Sequence, residues 1–242
     1  GNSNTSIGWS SLLKNTTGKN NVAMGSEVLN SNSTGDDNVA IGYNALTNST
    51  EGNENVAIGY QALYSNTTGY SNHGFGSSAL YNNTTGAQNI GIGFEALYTG
   101  TTASYNIGIG HQALYYNTTS YYNVAVGHYA LQANTTASQN NAVGYQALKS
   151  NTTGTSNLAL GPIYTLLSNT TGAGNVACGA HAMRHSVTGS YNTAVGFMAS
   201  EESTGSHGCA LGAYSLYNTT TGSENTAVGS AAGKYCTTGS NN

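Results

Sequence analysis

One glycine returns along this chain every 17 residues, and it limits the folds available more than any other feature. It stands at Gly8, Gly25, Gly42, Gly59, Gly76, Gly93, Gly110, Gly127, Gly144 and Gly161 without a slip. It continues at Gly179, Gly196, Gly212 and Gly229, with spacings of 18, 17, 16 and 17. A fixed period of this length marks a solenoid, in which each repeat buries its apolar face only by stacking on its neighbours. The 242 residues therefore count coils rather than globular domains.

Residues 55–71 serve as the type copy. Four positions before the glycine stands Asn in every copy but one, where Gly208 replaces it. The run Val56-Ala57-Ile58 alternates with period two, which predicts a short β-strand with Val56 and Ile58 on one face and Ala57 on the other. The expectation is that Val56 and Ile58 point into a hydrophobic core. The position of Ala57 is Ala, Gly or Ser in every copy, which predicts a second sheet or chain packed closely against that face. Ala62-Leu63 reads as a second short strand with Leu63 also inward. Asn66-Thr67-Thr68-Gly69 reads as an outward turn whose residue types suit positive φ and local hydrogen bonds. Stacked coils turn each position into a column. The repeated Asn, at Asn21, Asn38, Asn55, Asn72, Asn89, Asn106, Asn123, Asn140 and Asn157, is then expected to form an amide ladder. The fold class is all-β: a parallel β-solenoid, a single array over residues 1–242 with one coil for each of 14 repeats.

Composition narrows the partners. Charged residues are 6% of the chain, against roughly 25% in an average soluble domain. The strong cations Lys14, Lys19, Lys149, Arg184 and Lys234 are scattered and make no phosphate-tracking stripe, so nucleic acid is not an expected partner. No apolar run approaches the ~20 residues that span a bilayer as a helix. The chain is cut at the same repeat phase at both ends, which suggests a segment of a longer array. Cys178, Cys209 and Cys236 read as small hydrophobes; Cys178 and Cys209 lie two coils apart, about 9–10 Å, too far for a disulfide.

Asn-Val-Ala-Ile-Gly, at residues 38–42 and 55–59, resembles the head repeat of trimeric autotransporter adhesins of the YadA type. The longer pattern with Gly-Tyr-Gln-Ala-Leu and Asn-Thr-Thr-Gly, at 59–69 and 144–154, is similar to bacteriophage tail-fibre repeats. The resemblance covers essentially the whole chain. It implies a left-handed β-roll, a homotrimer around one axis, and a location outside the cell, on a bacterial or virion surface. The adhesin repeats are a few residues shorter than the period here, so the Asn-Thr-Thr-Gly side is expected to bulge as a loop.

Four residue sets are candidates for chemistry. Tyr64, Tyr81, Tyr98 and Tyr115 share one position on consecutive coils; stacked, they form either an aromatic strip for sugar rings or ordinary ladder packing. His111 and His128 both follow the repeat glycine and are weak metal candidates, since an imidazole also simply replaces the usual aromatic there. Asp37 and Glu54 share a column, with Asp36 and Glu51 nearby; in a polar turn with no partner base they read as a solvated patch. Sequons at Asn66, Asn83, Asn117, Asn134 and Asn151 match the glycosylation pattern, although the turn needs those residues anyway. The irregular region 161–212, with one residue gained and one lost, holds His181, Arg184, His185 and His207, and is the place to expect a local binding feature. No cofactor and no catalytic motif is expected. The function expected is a structural or adhesive fibre segment whose partners are itself, as a homotrimer, and host-cell glycans or matrix proteins. The alternatives are a self-assembling filament, with only itself as partner, and an ice-binding solenoid.

Overall fold

The computed structural model describes residues 1–242, and no helix in it is long and apolar enough to cross a membrane. The chain divides into two compact units, Gly1–Tyr122 and Asn123–Asn242. In the first unit, strands β1 (Thr5–Ile7), β2 (Val22–Met24), β3 (Val39–Ile41), β4 (Val56–Ile58), β5 (His73–Phe75), β6 (Ile90–Ile92) and β7 (Ile107–Ile109) form a parallel sheet in chain order. In the second, β8 (Val124–Val126), β9 (Asn141–Tyr145), β10 (Leu158–Ile163), β11 (Val176–Cys178), β12 (Thr193–Val195), β13 (Cys209–Leu211) and β14 (Thr226–Val228) do the same. Each strand is one rung of a parallel β-solenoid. The register pairs like with like, as in Val56↔His73, Ala57↔Gly74 and Ile58↔Phe75. Residues 17 apart on successive coils therefore lie over one another. The extra residue after Gly161 is absorbed by a bulge in β10 between Leu160 and Ile163.

The faces of the strand are the reverse of the sequence expectation. Ala57 is 0% exposed and Ile58 is 36% exposed. The interior is built from the small strand residue and the Ala-Leu pair: Ala57, Ala62 and Leu63 are all fully buried. The reason is space. A Cβ at Gly91 would lie 3.1 Å from Leu80 Cγ, and one at Gly108 would lie 3.3 Å from Leu97 Cγ. The leucine of the preceding coil fills the narrow interior up to the strand backbone, so only Gly or Ala fits opposite it. The smallness reports the chain's own leucine and not a neighbouring chain. Valine and isoleucine are left on the outer face.

The second strand is also absent. Residues 60–64 form turns, with Gln61 at φ 54° and Leu63 at φ 52°. Leucine in the left-handed region costs about 1–2 kcal/mol. Burial of the Leu63 side chain, worth about 1.5–3 kcal/mol, offsets it, and its N–H donates to Ala79 O at 2.9 Å. The repeat glycine does sit in the left-handed half of the map, Gly59 at φ 140°. The turn glycine Gly69 does not, so positive φ is not its role.

Two asparagine columns run along the coils. Asn55 is fully buried. Its N–H and Nδ2 both donate to Asn38 Oδ1, at 3.0 and 3.2 Å, and Nδ2 donates again to Gly69 O at 2.9 Å. Asn55 Oδ1 accepts from Asn72 N at 3.0 Å. The backbone bond to the preceding asparagine Oδ1 recurs at Asn21, Asn38, Asn72 and Asn89 in the first unit and at Asn140, Asn157 and Asn175 in the second. In the first unit the second column is the turn asparagine: Asn83 Nδ2 donates to Asn66 Oδ1 at 2.8 Å and to Gly86 O at 2.9 Å. Gly69 O thus accepts from both Asn55 and Asn66, which ties the turn to the strand end.

Candidate functional site

The tyrosine column forms as its spacing predicts. Consecutive ring centroids of Tyr64, Tyr81, Tyr98 and Tyr115 are 5.1 Å apart, with interplanar angles of 9°, 10° and 4°. The rings follow directly on Leu63, Leu80, Leu97 and Leu114, all buried, which anchor the backbone beneath them. The rings themselves are half-buried. Burial pushes the Tyr81 hydroxyl up from its usual range, with smaller contributions from Tyr98 and Tyr64. Burial also raises Tyr115, and the Glu95 carboxylate adds to it. The phenols of Tyr81 and Tyr115 therefore stay neutral hydrogen-bonding groups at neutral pH.

A wider surface lies on the sheet. In the first unit, Met24, Ile41, Ile58, Phe75, Ile92 and Ile109 form one outward row on consecutive coils. Val22, Val39, Val56, Ile90 and Ile107 form a second row, broken by His73. The residue after the glycine adds a third: Tyr43 and Tyr60 stack at 5.7 Å, Phe94 and His111 at 5.3 Å, and all but His111 are exposed. Sequence reasoning placed the first two rows inside, so it missed this patch. It also missed a stacked pair, Tyr105 and Tyr122, 5.0 Å apart; their separation of 17 residues was the available signal.

The remaining candidates change character. His111 stacks on Phe94 in the first unit, while His128 belongs to the second. Asp36 and Asp37 accept from the preceding coil, from Lys19 N at 2.6 Å and Asn20 Nδ2 at 3.0 Å, and Glu54 accepts from Ser71 Oγ at 2.9 Å. These carboxylates are rungs of an exposed polar ladder. The sequon asparagines Asn66, Asn83, Asn117, Asn134 and Asn151 are buried. The expectation that this block faces outward is corrected: the Nδ2 atoms of Asn66 and Asn151 donate to Gly69 O and Gly154 O within the turn. A folded coil presents no free amide there to carry a glycan. The second threonine of the block, as at Thr68, is exposed. The three cysteines are free.

The irregular region brings together a charged cluster. Glu201 takes the column position that tyrosine holds at Tyr217, and Arg184 takes it one coil earlier. Glu201 is only 3% exposed. Its Oε1 is 3.7 Å from Arg184 Nη1 and 3.9 Å from His181 Nδ1. In the adjoining column, His185 Nε2 is 3.7 Å from Glu202 Oε1. Arg184 also caps the Tyr164 ring, its Cζ 5.1 Å from the centroid. The sequence signalled this region by its changed spacing, but the burial of Glu201 had no signal of its own.

Neither unit has a pocket. No family model, curated protein or solved structure matches the chain.

Proposed function

We propose that this chain is a structural and adhesive segment of an extracellular fibre, assembled from copies of itself around its apolar sheet face. The observation that carries the reading is that face. Rows of Ile, Val and aromatic residues repeat on consecutive coils with identical register. Contiguous apolar surface of this kind marks an association site. Its repeat is one coil, so the partner that matches it column for column is another solenoid of the same coil rise. Three copies around an axis, as in the adhesin heads this sequence resembles, would bury every row. The tyrosine column then remains on the outside as the surface that meets glycans or matrix proteins.

Aromatic side chains contribute about 0.5–1.5 kcal/mol each in ring contacts beyond their burial. The double variant Tyr81→Ser/Tyr98→Ser is therefore expected to weaken binding to immobilised glycans or matrix protein roughly tenfold, read by surface plasmon resonance. Equal binding by both proteins would move the adhesive surface elsewhere. No binding by the parent to any glycan or matrix protein would reduce the segment to a spacer.

A further inference from the structure

We propose that His185, Glu201 and Glu202 form a site for a divalent transition-metal ion of the zinc class. A donor atom from each of the three lies within 4.8 Å of the others. One imidazole nitrogen and two carboxylates are a borderline-to-hard donor set that suits such an ion. The coil geometry supplies the closeness. His185 and Glu202 occupy one column on successive coils, and His185 N donates to Glu201 O at 2.9 Å, which locks the two backbones together.

The charge cluster leaves two buried atoms unpaired, Glu201 Oε2 and Arg184 Nε. Arg184 and His181 both approach Glu201 Oε1. His185 approaches Glu202. Glu201 Oε2 is buried and has no hydrogen-bond partner. A buried carboxylate oxygen without a donor is costly. His185 reaches Glu202 Oε1, and Glu201 Oε2 is left without a donor. A cation held between His185, Glu202 and the second oxygen of Glu201 satisfies both carboxylates. Arg184 then acts as the positioning residue through its approach to Oε1 at 3.7 Å. The two carboxylates against one guanidinium leave the cluster net negative before the ion binds.

Zinc chloride titrated into the intact chain by calorimetry tests this, in a non-coordinating buffer at neutral pH. The expected result is one ion per chain. Glu202→Gln and His185→Gln should each weaken that binding about tenfold or more, as expected when one of three ligands is lost. His185 and Glu202 are half-exposed, so these replacements leave the interior intact, which circular dichroism verifies. Both variants keep every other histidine of the chain. Binding of unchanged affinity in both would place the ion elsewhere and overturn the proposal. Absence of binding to the parent chain would overturn it as well.

Discussion

Gly59→Ala is expected to lower stability by about 3 kcal/mol or more and to break the array locally. Two causes act together. Gly59 is at φ 140°, a conformation that an L side chain rarely adopts. A Cβ there would also lie 2.5 Å from Gly76 O and 2.7 Å from Gly76 C, the backbone of the next coil. A backbone atom so placed has no rotamer to move into. The coils must separate, and the rung Gly76 N to Ile58 O, 2.8 Å, is lost with them. In a repeat array each coil touches only its neighbours, so the defect divides the stack. Chemical denaturation should show a lower midpoint and a broader transition, and hydrogen exchange should show loss of protection centred on β4 and β5. The strand column gives the control. A Cβ at Gly74 would meet only Ala79 O at 3.4 Å and Leu63 Cγ at 3.5 Å, ordinary contacts, and Ala57 stands in the same column, so Gly74→Ala should be much milder. Equal loss in the two variants would contradict the assigned roles.

Asn55→Ala ranks second. The side chain is fully buried and joins three coils. Its removal leaves Asn72 N without its acceptor and takes one donor from Asn38 Oδ1 and one from Gly69 O. The backbone donor of Asn55 can still reach Asn38 Oδ1, so that oxygen is not orphaned. A buried group without its partner costs about 1–3 kcal/mol. A loss of roughly 3 kcal/mol is therefore expected, together with the cavity. Asn55→Asp should be at least as damaging, because a carboxylate has no N–H for Gly69 O and stands beside the amide oxygen of Asn38. Urea titration followed by circular dichroism reads both. Stability within 1 kcal/mol of the parent would mean that the ladder is ornamental.

These two positions mark what the sequence made legible. The period, the parallel stacking, the asparagine ladder and the tyrosine column all follow from one rule, that identical positions in successive coils meet. Spacing alone carries that rule. Which side of the strand is interior does not follow from spacing. Alternation says that Val56 and Ile58 share a face, not that their face is the core. The decision rests on Leu63, whose side chain reaches the strand only because residues 60–64 turn through left-handed conformations. Leucine has no intrinsic preference for that region, so its turn read as a strand. With the leucine inside, room remained only for Ala57, and the larger residues were turned out. The cluster at Glu201 was hidden for a related reason. Its coil is one residue short, and the column assignment that buries Glu201 depends on where the chain absorbs that loss.

The reversed faces are also what joins fold to function. A coil with Ala57, Ala62 and Leu63 inside has a thin interior, and rows of apolar residues stay exposed outside it. Under the proposal, copies of the chain cover those rows. The mass of the intact chain in solution, by size-exclusion chromatography with light scattering at micromolar concentration, is the most direct test. The account predicts three chain masses for the parent and one for the double variant Ile58→Glu/Ile92→Glu, which places carboxylates on the outer row without entering the core. A parent that runs as a stable single chain would contradict it.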